Sequence, residues 1–89
     1  MTDPAVAEAR EAIDAIDGAL VVSVNRRIEL VRKLHEHKQA TGAPMRDPAR
    51  EEAMVASLQG QNEGPLSDQG VADLVEFVLA LTRRELYGE

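Results

Sequence analysis

The chain has 89 residues, 44% of them hydrophobic, and a formal net charge of −6, which suits a single domain over residues 1–89 with a modest core. Its acidity excludes a broad phosphate-binding face, so no nucleic-acid partner is expected. The absence of cysteine excludes disulfides, thiolate metal sites and cysteine nucleophiles, and it fits a reducing, cytoplasmic setting.

The two aromatics, Phe77 and Tyr87, stand among abundant Ala, Val, Leu, Glu and Arg. That composition suits helices packed by aliphatic side chains rather than a sheet. The start MTDPAVAEAR lacks the basic and apolar regions of a signal peptide. No segment has the ~18 uninterrupted apolar residues of a membrane span.

From Pro4 to about Ala40 there is no proline, and Ala9, Ile13, Ile16, Leu20, Val24, Val31 and Leu34 recur at steps of three and four. This predicts one amphipathic helix, with Asp3 as N-cap, Pro4 in its first turn and Thr41-Gly42-Ala43-Pro44 as its stop. Gly18 inside it costs about 1 kcal/mol relative to Ala, either as tolerated weakness or as room for a neighbouring helix. Asp47-Pro48 repeats the cap-then-proline pattern and opens a second helix to about Gln61, with Arg50, Met54, Val55 and Leu58 on one side. Asn62-Glu63-Gly64-Pro65 ends it. Ser67 caps a third helix, with Leu66 placed to staple onto Val71, and the stripe Val71, Leu74, Val75, Val78, Leu79, Thr82 runs on towards Tyr87. An all-α, three-helix protomer is expected. At 1.5 Å per residue the first helix is about 54 Å long, against a radius of gyration of about 12 Å for a compact chain of this size. An intertwined homodimer follows as the way to cover the overhang.

Half of the ten Lys and Arg residues fall in RRIELVRKLHEHK, residues 26–38. The apolar stripe continued past Val24 predicts inward positions near 27 and 38, and these hold Arg27 and Lys38. They differ by only about 20° in direction and stand about 16 Å apart along the axis, a gap that fits a small anion. Their heads either reach water along aliphatic stems, or pair with Glu51, Asp47 or Glu76, or wait for an anionic ligand. Arg26, Arg32 and Lys33 point outward, near Glu29 and Glu36. Arg10 lies about 25 Å from Arg27 on the same helix, so only the Arg10 of an antiparallel neighbour reaches a ligand held there. Asp47 and Glu51 read first as an N-cap and a first-turn acid, and Thr82 as either a core hydroxyl or a ligand contact. His35 and His37, at i and i+2, face different ways and form no metal pair, so both are read as surface residues. No phosphate loop or nucleophile arrangement is visible.

AREAIDAIDGALVVSVNRRIELVRKLHEHK followed by GAPMRDPAREEAMV resembles the small all-α chorismate mutases, closely over residues 9–55 and loosely in the third helix. Those enzymes are intertwined dimers of three-helix protomers that need no cofactor or metal. The resemblance implies that Arg27 and the partner's Arg10 clamp the two carboxylates of chorismate. It implies that Lys38 contacts a carboxylate and the ether oxygen, and that Glu51 and the backbone near Asp47 hold the ring hydroxyl. Arg50 would contact the ligand or support that shell, and Thr82 stands where the family commonly has Ser. Four residues on, the family usually has Gln or Glu, and here Leu86 stands instead, which implies a modest rate alone. The tail RRELYGE resembles an actinobacterial subgroup activated by DAHP synthase. An isochorismate-pyruvate lyase, an aminochorismate mutase or a non-catalytic regulatory dimer on the same fold are the alternatives.

Overall fold

The computed structural model describes residues 3–41 and 47–88, and within them the chain is helical with no strand. Helix α1 spans Pro4–Thr41, α2 spans Pro48–Gln61 and α3 spans Asp68–Tyr87. The expected all-α, three-helix architecture is what the chain adopts.

Each helix begins where its sequence supplies a cap. Asp3 Oδ1 accepts a hydrogen bond from the Ala5 amide at 2.7 Å, satisfying one of the donors that a helix start leaves open. Asp47 Oδ1 does the same for the Arg50 amide at 3.0 Å, ahead of Pro48. Ser67 Oγ does so for Gly70 at 2.9 Å. The stop expected at Thr41-Gly42-Ala43-Pro44 lies, beyond Thr41, outside the described residues.

The turn between α2 and α3 is closed by Asn62. Its Oδ1 accepts from the Gly64 amide at 3.1 Å and its Nδ2 donates to the Leu66 carbonyl at 2.6 Å, while Gly64 takes φ +82°, a left-handed backbone that suits glycine. Leu66 reaches over Gly70, where an added Cβ would lie 2.6 Å from Leu66 Cδ1. α3 ends at Gly88, also left-handed, whose amide donates to the Arg84 carbonyl at 3.0 Å.

α3 is the central element, packed against both α1 and α2, whereas α1 and α2 do not meet among the described residues. Its inward line is Val71, Val75 and Thr82, the buried residues of the described chain. Leu74, expected on that line, is 49% exposed. The reason is angular: positions 71, 75, 78 and 82 fall within about 60° of one another around the helix, and Leu74 stands about 70° to one side of their mean, at the edge of the packed face.

The molecule measures 60 × 24 × 20 Å with a radius of gyration of 17.0 Å, well above the ~12 Å of a compact chain this long. α1 causes the excess. Its N-terminal half leaves Ile13, Ile16 and Leu20, part of the apolar stripe predicted from periodicity, 54%, 67% and 55% exposed.

Candidate active site

Where α1, the start of α2 and the end of α3 converge lies a cavity of about 570 Å³, within the range of small-molecule sites. Arg27 and Lys38 line it from α1, Asp47, Arg50 and Glu51 from the first turn of α2, and Thr82 from α3. Leu30, Val31, Leu34 and Leu79 supply its apolar wall. Arg27 and Lys38 are both half-buried, on the same side of α1 as their spacing requires.

Arg27 is the best-defined group. Its Nη1 donates to Thr82 Oγ1 at 3.0 Å, and Thr82 Oγ1 in turn donates to the Val78 carbonyl at 2.7 Å. Among the described residues no carboxylate lies within ion-pair distance of Arg27. Burial first, and then the charge of Arg50, pull the Arg27 guanidinium below its ordinary pKa. Both causes act against a cation with no counter-charge among the described residues, so an anion entering the cavity would supply one. Asp47 is held to its own helix as a cap. Glu51 faces Arg83 at 3.9 Å.

Arg10 lies far along α1, exposed and remote from this cavity, as the seventeen-residue separation from Arg27 demands. Leu86 is half-buried but is not part of the cavity wall; the last turn of α3 presents Arg83 and Tyr87 there instead. The outward cations behave as read: Arg26, Arg32 and Lys33 are exposed, and Arg32 pairs with Glu29 on the solvent side.

His35 corrects the sequence reading. It is half-buried, lines the cavity, and its Nδ1 is hydrogen bonded to the Tyr87 hydroxyl at 2.8 Å, with the rings 4.7 Å apart. The sequence reading weighed it only against His37 as a metal pair; Val31, His35 and Lys38, at steps of four and three, follow the same face. Arg83 and Tyr87 were missed too. Val75, Leu79, Arg83 and Tyr87 form one ridge at steps of four, beside the line through Val78 and Thr82 on which the sequence reading set its ligand contact.

The arrangement offers fixed cations, hydroxyl acceptors and an apolar wall, which is equipment for holding a polyanion and stabilising charge that develops on it. No cluster of potential metal ligands occurs among the described residues.

The model of the family described as chorismate mutase type II matches residues 9–86. A T-protein of Enterobacter agglomerans is 39% identical over 79 residues, 88% of this chain and 20% of that protein. A bifunctional chorismate mutase/prephenate dehydratase of Neisseria gonorrhoeae is 39% identical over 71 residues, 80% of this chain and 19% of that one. The chain thus spans about a fifth of the length of these relatives. Among solved structures, the form I chorismate mutase of Thermus thermophilus superimposes with a TM-score of 0.83 at 26% identity, covering 86% of this chain and 96% of that one. With nearly its whole length matched, the chain belongs to the chorismate mutase type II family.

Proposed function

We propose that residues 1–89 form one catalytic domain that rearranges chorismate to prephenate, in the cytoplasm and without a cofactor. The observation that carries this reading is the convergence of Arg27, Lys38, Arg50, Glu51 and Thr82 on one cavity, with Arg27 desolvated and no carboxylate among the described residues within ion-pair distance of it.

The reaction is a unimolecular Claisen rearrangement. The ether C–O bond breaks while a C–C bond forms, so no nucleophile or proton relay is required. The protein has to select the compact conformer and stabilise the charge that separates towards the ether oxygen. Arg27 takes one carboxylate, and the Lys38 ammonium, a compact charge on a long stem, sits over the ether oxygen. Glu51 accepts the ring hydroxyl beside the α2 start. Arg50 contributes charge to the same wall, and Thr82 fixes the Arg27 fork through its hydroxyl.

A second copy completes the site. The exposed stripe Ile13, Ile16 and Leu20 needs a cover, and the chain's own α2 and α3 reach only part of α1. An antiparallel copy buries that stripe and brings the partner's Arg10 to the second carboxylate, which shields the cavity and strengthens its charges. No described helix is long and apolar enough to cross a membrane. DAHP synthase is the further partner in this reading, and titrating it into the rate assay tests that part by itself: an unchanged rate removes it.

The test of the activity is to incubate chorismate and isochorismate separately and identify the products. Prephenate from chorismate alone supports the reading. Salicylate and pyruvate from isochorismate, with chorismate untouched, would replace it with a lyase.

A further inference from the structure

Arg83 stands in the cavity wall next to Thr82 and has no part in the mechanism above. Its Nη1 lies 3.9 Å from Glu51 Oε1, and the two side chains are 30% and 31% exposed. That separation is within ion-pair range but too long for a hydrogen bond. Arg83 thus gives the Glu51 charge a counterpart without itself taking up the lone pairs that a ligand hydroxyl would use.

The counterpart matters because of what the cavity must accept. A carboxylate in the wall repels a dianion, and at a partly exposed site repulsion between charges several ångströms apart is enough to weaken binding about tenfold. Arg83 comes from α3 and Glu51 from α2, and both also line a shallow groove between these helices. Their attraction therefore spans the α2–α3 seam and fixes where the carboxylate stands.

We infer that Arg83 is a positioning residue for Glu51. It cancels the repulsion between that carboxylate and an incoming dianion, and holds it across the seam to accept the ligand's neutral hydroxyl. The inference rests on reading the cavity as a chorismate site.

The test is a double-mutant cycle in the full chain, measuring kcat and KM for chorismate with R83M, R83K, E51Q and R83M/E51Q. Met keeps the aliphatic stem and removes the charge. R83M should raise KM about tenfold with kcat within about threefold of wild type, since the charge acts on binding. R83K should recover most of the loss. In the E51Q background the R83M effect should shrink below about twofold, because no carboxylate charge remains to balance. Equal R83M effects in both backgrounds would overturn the inference, as would a fall in kcat with KM unchanged. R83Q replaces R83M in the cycle if R83M loses its helical circular dichroism, and the same outcomes decide. A wild type that turns over chorismate while R83M matches it defeats this inference alone. A wild type with no turnover defeats the functional reading and this inference together.

Discussion

Arg27→Met separates the demands of folding from those of ligand binding. In the folded chain Arg27 is desolvated, lies close enough to Arg50 to feel its charge, and donates a side-chain hydrogen bond to Thr82 at 3.0 Å. Removing that bond costs about 1 kcal/mol. Thr82 is not orphaned, because it still donates to the Val78 carbonyl at 2.7 Å. Against the cost stand relief of the desolvation and of the Arg50 repulsion. The sign follows from linkage: a base whose folded pKa is lowered holds its proton less tightly folded than unfolded. The protonated guanidinium is therefore a cost to folding throughout the neutral range, below both values. Met retains the apolar stem. The net change is within about 1 kcal/mol of zero, or about 4–8 °C in Tm for a domain of this size. Activity should respond very differently. Loss of a preorganised donor to a substrate carboxylate removes about 3 kcal/mol, roughly 100-fold or more in kcat/KM. Thermal circular dichroism and the decay of chorismate absorbance measure the two. A fall in Tm of more than about 10 °C with kcat/KM retained within threefold would refute the reasoning and make Arg27 a structural residue.

Three further outcomes follow from the same geometry. Arg10→Ala and Lys38→Ala homodimers should each be inactive, yet mixing them with subunit exchange should restore about a quarter of the wild-type rate, because half the dimers are mixed and each carries one intact site; no recovery would place Arg10 and Lys38 in the same chain's site. Gly18→Ala should stabilise α1 by about 1 kcal/mol, since an added Cβ meets nothing within 4 Å of its own chain; a loss of dimer by light scattering would instead mark a close helix approach. Leu86→Gln should change kcat/KM less than about threefold, since Leu86 is outside the cavity wall; a large gain would return that position to the site.

The helices were legible because their signals are local. Three side-chain caps, two prolines in first turns and a three-four periodicity over α1 fixed type and bounds to within a residue or two. Arg27 and Lys38 were legible as a pair for the same reason: helical geometry converts an eleven-residue spacing into a shared direction. The rest of the cavity depends on how α3 rolls against α1, which a few degrees decide. Rolling selects Arg83 and Tyr87 over Leu86, and brings Tyr87 onto His35, fifty-two residues away. No local pattern carries that pairing. The distance between Arg27 and the remote Arg10 marks a different limit, since the proposed cover is a second chain, and no pattern within one chain positions it.

The most direct measurement is the conversion of chorismate by the purified chain beside Lys38→Ala, with dimer mass followed for both. The account predicts prephenate from the wild type and a loss of about 1000-fold or more in kcat/KM for Lys38→Ala, with helicity and dimer mass unchanged. Equal rates for the two proteins, or no prephenate from the wild type, would contradict it.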